Sequence, residues 1–491
     1  MKYSPISTFT SRKTSKSSLR HNSKIIFLVL TTFICLGFTF SSFQPLEAQD
    51  RIQILNAGTM EGFRKGEENI RILQTDVRLQ TPTFYITCDS AYQVINKQEI
   101  FAYGNIEIET NNELIWSDTA HYQSAREYST LRGRVVLWQD SLTLYGTRVE
   151  YNFSNKKAFF PKRFLLDDNE GQLSATRGNY WEESDSLSLT RQVQVFDSLQ
   201  YIEADTLLGN RQSENYEFYG RVYAQNNERR VTLTANSMFA DSTGRRLLQG
   251  NAAMRRVARG SEDTTFIQAK EIELIEDTDT TYVVNARGNV NIWNPDYSAI
   301  ADTSHYYSGK ELFQLRSNPL TWHEQIQLTA PKIDVNLNND SLETLRAFPG
   351  PFVVQHDTAI DRKNQITGDS LTAHFANGDL DRLVVYPKSH LLYFSKNEKG
   401  QSDGGMEMRA ATTFLHFKNG DIQKMKGTKN VDGSYLPESE KVAKKQLNGF
   451  NWQPELRPVK PRGLPAQKWP DSLQNKPIDP PAAFLDFLKR Q

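Results

Sequence analysis

Histidine is the first residue type to consider, because imidazole serves both in acid–base catalysis and as a metal ligand. The chain has eight histidines, and they are scattered along it. His121 and His305 share one position in the repeated string Asp-Thr-Ala/Ser-His-Tyr, which indicates a structural position rather than a pair of metal ligands. The sequence also lacks a glycine-rich phosphate loop, a nucleophile elbow and a His-Glu-x-x-His string. We therefore expect no catalytic residues, no metal site and no cofactor.

Aspartates recur at equivalent positions of the chain, at Asp118, Asp205, Asp302 and Asp369. One interpretation is a calcium ladder, with one carboxylate in each repeat. The glycine–aspartate density of calcium-binding repeats is missing, however, and this favours aspartates that cap the backbone at corners of the fold. Cys88 stands where other repeats have alanine or glycine, so we expect it to pack rather than to react.

The composition limits the function classes. The chain has 491 residues, of which 38% are hydrophobic, and a mean hydropathy of −0.59. Lysine plus arginine and aspartate plus glutamate each number 58, so the net charge is zero and the electrostatic footprint of a nucleic-acid-binding protein is missing. Two distant cysteines exclude a disulfide scaffold. These values disfavour a catalytic α/β globule.

The body of the chain is a repeat. One position, which we call the slot, recurs every 29 residues at Asp89, Asp118, Thr147, Thr176 and Asp205, and then at longer intervals to about residue 411. Three residues before the slot stands a large aliphatic residue, and one before it a small residue. Two residues that are two positions apart lie on the same face of a β-strand, so these columns predict stacked strands. Before the slot, the apolar residues stand one and three positions away from it, and after the slot they stand two and four positions away. This change in the alternation predicts a bulge or corner.

A second signature lies midway between slots and consists of glycine followed by alternating aliphatic residues, as in Gly104-Asn-Ile-Glu-Ile and Gly133-Arg-Val-Val-Leu. The two signatures together predict an all-β, solenoid-like fold of about 22 short strands. The aliphatic residues of both signatures are either the core of this stack or the lining of an apolar groove for acyl chains. The groove candidates are Ile86, Ile106, Ile108, Ile115, Val135, Leu137, Leu144, Leu173, Val193, Val195, Ile202, Val222, Leu233, Ile267, Val290 and Ile292.

The two ends of the chain differ from the repeats. Residues 1–48 have the order of a secretory signal peptide, with a basic lead, an apolar run from Ile25 and a cut after Ala48, and an uncleaved membrane anchor is the alternative. We predict β-repeats over 49–260, with a continuation of them or a second similar domain over 261–435. The proline-rich segment 436–491 is predicted to be an extended tail, serving as a linker or a partner-binding strip.

The Gly-x-Val-x-Leu strand, followed by Leu-x-Ala-Asp-x-Ala-x-Tyr, resembles the OstA-like family, which includes LptA-type bridge proteins of lipopolysaccharide transport. The motifs that carry the resemblance are Gly104-Asn-Ile-Glu-Ile, Trp116-Ser-Asp-Thr-Ala-His-Tyr122, Gly133-Arg-Val-Val-Leu, Leu142-Thr-Leu-Tyr-Gly146, Ile202-Glu-Ala-Asp-Thr206 and Gly288-Asn-Val-Asn-Ile. The resemblance implies a twisted β-jellyroll, open along one side, that holds lipid A acyl chains. It also implies end-to-end joining of like domains through edge strands.

The resemblance therefore favours an exported periplasmic protein that binds lipopolysaccharide and bridges the inner and outer membranes during outer-membrane assembly. Its expected partners are other jellyroll proteins of the bridge, and head-to-tail self-association is a further possibility, with an N-terminal edge strand near Asn69–Leu73. The alternatives are a right-handed β-helix enzyme acting on polysaccharide and a structural cell-surface solenoid.

Overall fold

The computed structural model describes residues 52–258, 263–278, 280–462 and 478–490. The expected export segment, residues 1–48, lies outside the described residues. Among the residues that are described, no helix combines the length and the apolar character needed to cross a bilayer.

The described chain is almost entirely antiparallel β-structure in 34 strands. The first strands are β1 Gln53–Asn56, β2 Thr59–Lys65, β3 Glu68–Gln80, β4 Tyr85–Val94, β5 Glu99–Glu109, β6 Leu114–Gln123, β7 Tyr128–Gln139, β8 Leu142–Asn152, β9 Lys157–Phe160, β10 Phe164–Asp167, β11 Gly171–Ala175 and β12 Arg177–Trp181. Then follow β13 Ser186–Asp197, β14 Gln200–Asn210, β15 Asn215–Asn226, β16 Val231–Ala240, β17 Arg246–Val257, β18 Thr264–Glu276, β19 Tyr282–Trp293, β20 Ser298–Tyr307, β21 Leu312–Arg316, β22 Leu320–His323, β23 Ile326–Thr329 and β24 Lys332–Asn338.

The last strands are β25 Ser341–Phe348, β26 Phe352–Asp357, β27 Arg362–Thr367, β28 Ser370–Ala376, β29 Asp379–Tyr386, β30 Ser389–Lys396, β31 Ser402–Ala410, β32 Thr412–Lys418, β33 Asp421–Thr428 and β34 Asp432–Leu436. The α-helices are α1 Glu440–Ala443 and α2 Ala482–Leu488, and 3₁₀ turns lie at Ile95–Lys97, Ser124–Arg126, Ser308–Lys310 and Pro454–Leu456.

Long strands bend in the middle, at the slot. The pairing register of β5 with β6 shifts between Tyr103/Ile106, and that of β6 with β7 between Trp116/Thr119. The slot and the glycine of the next signature face each other across this bend, because a Cβ on Gly133 would lie 2.2 Å from Asp118 Oδ2. Gly133 has φ +96°, which glycine adopts without steric cost. The two sequence signatures are therefore the two sides of one corner.

One of the corner aspartates, Asp118, caps the backbone in the way expected of these residues. The Arg134 backbone N–H donates to Asp118 Oδ2 at 3.0 Å, and the Arg134 guanidinium donates to Oδ1 at 2.7 Å. The Arg134 side-chain hydrogen bond holds the pKa of Asp118 below its usual range. Asp205 makes the same guanidinium pair with Arg221.

Because every long strand bends at its corner, the meander forms two facing arms. Hairpin turns such as 81–84 and 110–113 form a first row at the rim of one arm, and turns such as 95–98 and 124–127 form a second row at the rim of the other. At β9 to β12, and again from β21 onward, the two halves of each bent strand are separate strands, and they continue the same two arms. For this reason the described chain has 34 strands rather than the expected number of about 22.

One apolar core lies between the arms and runs from Leu73 to Leu415. The strands on either side of the polar segment near residue 260 pair directly, with Val257 opposite Thr264. The all-β repetitive fold predicted from the sequence is confirmed, and its antiparallel pairing is not that of a parallel β-helix.

The edges of the stack differ from the expectation. The segment Asn69–Leu73 belongs to β3, which pairs with β1, β2 and β4, so it is not an edge. Sequence patterning missed β1 and β2 because their residues are mostly exposed and lack the slot columns. Residues 445–453 of the tail run along the outer face, where Gln365 and Gln327 bond their backbone.

Candidate functional site: an apolar cavity at the seam

The two hairpin rows meet along a line that we call the seam. At its N-terminal part, Phe84 of the first row stacks on Phe153 of the second, with ring centroids 4.1 Å apart. Tyr122 packs edge-on against Phe84 at 4.9 Å. Aromatic packing therefore closes this end of the jellyroll, since such pairs add stabilisation beyond their buried area.

Next along the seam, two carboxyl groups meet. The Tyr151 hydroxyl lies 2.6 Å from Glu113 Oε2 and 3.1 Å from Glu182 Oε2, and Lys156 pairs with Glu182 at 3.1 Å. Burial, and then the hydrogen bond that protonated Glu113 donates to Glu182, raise the pKa of Glu113 to about 8. The protonated form of Glu113 joins the arms here without placing two buried negative charges side by side.

Further along the seam, ion pairs join the two hairpin rows, and we call each of these ion pairs a rung. Arg211 bonds Asp168 of the first row at 3.1 Å and Asp185 of the second at 3.2 Å. Burial opposes the charge of Arg211, but the two carboxylates hold its pKa above the usual range. The next rung is Arg229 with Glu276, at 2.5 Å.

A cavity of about 530 Å³ opens between these two rungs. Its floor is apolar and is formed by the inward side chains of β10, β11 and β13 to β15, namely Leu166, Leu173, Leu187, Val195, Ile202, Leu207 and Phe218. These side chains face inward because alternate residues of a strand lie on one face. The extra residue of each bulge keeps the apolar side chains pointing inward on both sides of the corner. The arrangement can bind an apolar chain between the arms.

The rim of the cavity is charged and mainly acidic. Asp197, Asp241 and Glu276 lie on it, together with Arg211 and Arg246. Burial lowers the pKa of Arg246, whose guanidinium donates to the backbone oxygen atoms of Asp241 and Arg245. A surplus of carboxylates repels a free anionic group at the mouth, whereas it does not oppose entry of an uncharged hydrocarbon chain.

The structure brings only some of the groove candidates to this cavity. Leu173, Val195 and Ile202 line it, and Ile292 lines a smaller apolar void of about 30 Å³ near Phe375. Val193 and Val222 border a second cavity, of about 900 Å³, beside the Asp205 corner. The remaining candidates pack within the core, namely Ile86, Ile106, Ile108, Ile115, Val135, Leu137, Leu144, Leu233, Ile267 and Val290.

The charged residues of the seam are not among the residues predicted from the sequence. Arg211, Arg246 and Asp168 lie in or beside hairpin turns, outside the repeated columns. A usable signal was present, because charged residues recur at the ends of successive strands on both rims. Cys88 is buried, and burial raises the pKa of its thiol to about 11, in keeping with packing.

Fold and site together define an antiparallel β-jellyroll of bent strands with an apolar cavity between its arms. Residues 49–205 match the family model described as OstA-like protein, which covers less than half of the chain. This part of the chain is therefore an OstA-like domain. A search of curated proteins found no match.

Proposed function

We propose that this protein is a periplasmic carrier that binds lipopolysaccharide acyl chains in the seam cavity, without chemical turnover. The observation that supports the proposal most strongly is the apolar floor beneath a polar rim, where the segment that matches the OstA-like family model meets the repeats that follow it. Hydrocarbon that leaves water for such a site is stabilised in proportion to the buried area.

The size of the cavity limits what it holds. A volume of 530 Å³ falls in the range of small-molecule sites, so it accommodates a part of a lipid rather than all chains of a lipid A. Larger cargo requires the arms to separate, and the rungs at Arg211 and Arg229 flank the point where they would do so. The acidic rim leaves the anionic headgroup outside the cavity.

The ends of the stack support a bridging role. β2 pairs only with β3 among the described strands, and at the other end β33 and β34 each have one partner. Unpaired strand edges favour addition of a strand from another chain. We propose that other jellyroll proteins, at the inner and outer membranes, or further copies of this chain dock there after export directed by residues 1–48.

The test is a charge placed in the cavity. Ile202→Asp puts a carboxylate on the floor, where it costs several kcal/mol if the site stays dry, so lipopolysaccharide binding should fall at least tenfold. Leu208→Asp is the matched control, because Leu208 is on the same strand β14 and is exposed. Ile115 is unsuitable, since it is fully buried in the core and its replacement would unfold the stack.

Circular dichroism must show an intact sheet in both variants. If Ile202→Asp retains its fold and binds lipopolysaccharide as the Leu208→Asp variant does, the cavity is not the binding site.

A further inference from the structure

An aromatic patch lies on the outer face of the arm whose rim carries the first hairpin row. Its members point away from the core because they alternate with the inward aliphatic residues. We call them the outer patch, and they are Trp116, Val136, Tyr145, Leu165, Tyr201 and Tyr223. Trp116 and Tyr145 occupy the same place in consecutive repeats, 29 residues apart.

The C-terminal helix α2 covers this patch. Phe484 is 1% exposed, and its ring centroid lies 5.1 Å from that of Trp116. Phe487 lies one turn further on, 4.8 Å from Trp138 and 5.5 Å from Trp116. Leu485, on the opposite side of the helix, is exposed. The helix therefore presents two phenylalanines on one face, at the spacing of three that places side chains together.

The helix docks separately from the rest of the tail. The preceding segment is fixed elsewhere, with Leu447 packed in a second outer cluster on β26 and β30. The Gln453 backbone N–H donates to Gln327 Oε1 at 2.8 Å, which fixes this part of the tail over β23. Residues 463–477 join the two parts in the sequence.

We propose that the outer patch is a recognition site for a short helix with two phenylalanines three residues apart, and that a second copy of this chain supplies that helix in trans. The patch and the helix that it binds are encoded in the same chain. Each copy carries both the patch and its ligand, and the contacts are aromatic side-chain contacts that do not depend on which chain provides the helix.

The site also has a defined position relative to the cavity. Leu165 and Tyr201 belong to the outer patch, while their neighbours Leu166 and Ile202 line the cavity from the inner face of the same strands. Replacement of helix α2 by the same helix of another copy therefore changes contacts on the outer face of the strands whose inner face forms the cavity floor. The proposal itself rests on the docked helix and not on what the cavity binds.

The first experiment uses a fluorescein-labelled peptide of residues 478–490 and the full-length chain. Phe484→Ala in the chain removes the anchor of its own helix, so peptide anisotropy should show binding at least tenfold tighter to this variant than to the unmodified chain, where the tethered helix competes. In the peptide, Phe484→Ala should weaken binding at least tenfold, and Leu485→Ala should not. Equal binding to both chains, or tolerance of Phe484→Ala in the peptide, would overturn the proposal.

The second experiment tests supply by another copy. Trp138→Cys and Phe487→Cys are made in separate full-length chains, mixed, and treated with a short bis-maleimide. A covalent heterodimer above the level of either variant alone is expected, because neither chain carries both engineered thiols. If the peptide binds but no such heterodimer forms, the helix acts only within its own chain and the trans part of the proposal is wrong.

Discussion

At the residue scale, the conformation of a corner depends on a glycine that faces an acidic residue, as Gly133 faces Asp118. Gly133→Ala combines an unfavourable φ with a clash against Asp118, and it should cost about 1–3 kcal/mol of unfolding free energy. Gly66→Ala is the matched control, because Gly66 has φ +64° but no atom near the added Cβ. Urea denaturation of both variants separates the two effects. Equal losses would show that the contact between slot and glycine contributes nothing.

Glu113 makes stability depend on pH. Because its folded pKa of about 8 is raised above the value of 4.5, its contribution is complete below pH 4.5 and is lost as pH rises through 8. The unfolding free energy should fall by at most about 1.4 kcal/mol per pH unit in this window. Urea denaturation at several pH values should show this slope reduced in Glu113→Gln and retained in Glu109→Gln, whose side chain is exposed. An unchanged slope in Glu113→Gln would show that the pair of Glu113 and Glu182 does not cause this pH dependence.

The sequence could predict which residues face inward but not which of them border empty space. Ile115 and Ile202 belong to the same column, yet Ile115 is packed and Ile202 lines the cavity. The difference arises from how far apart the arms stand at each repeat. That separation depends on turns and ion pairs such as Arg211 with Asp168, which no repeated column encodes.

At the scale of elements, ion-pair rungs hold the two hairpin rows together next to the cavity. Arg211→Ala leaves Asp168 and Asp185 without their shared cation and should cost about 1–3 kcal/mol. Hydrogen exchange should accelerate in the turn between β10 and β11. Arg221→Ala is the control, because its pair with Asp205 is exposed at a corner and such pairs contribute less than about 1 kcal/mol. Identical exchange in the two variants would contradict a seam held by Arg211.

The strands themselves were predictable because their two signatures recur in every repeat. The outer patch was not identified, although Trp116 and Tyr145 are aromatic residues at equivalent, outward-facing positions of consecutive repeats. The path of the tail could not be read from the sequence, since its contacts with Gln327 and Gln365 join residues more than 80 positions apart.

At the scale of the whole molecule, the stack has open edges at both ends. β2 is exposed along its length, and Met60 and Phe63 are large apolar residues on it. Replacing both with lysine should lower the average mass in light scattering if copies join through this edge. Tyr103→Lys is the control, because Tyr103 is exposed on β5, a strand that is paired on both sides. No change of mass across a concentration series would contradict assembly through β2.

The central claim is that acyl chains lie between the arms at the seam cavity, and photocrosslinking to lipopolysaccharide tests it most directly. A photoreactive residue at Val195, on the cavity wall, should form an adduct. The same residue at Leu208, exposed on the outer side of β14, or at Ile108, buried in the filled core, should not. An adduct at Val195 alone is the predicted result. Equal labelling at Leu208, or none at Val195 while the folded protein still binds lipopolysaccharide, would contradict the account.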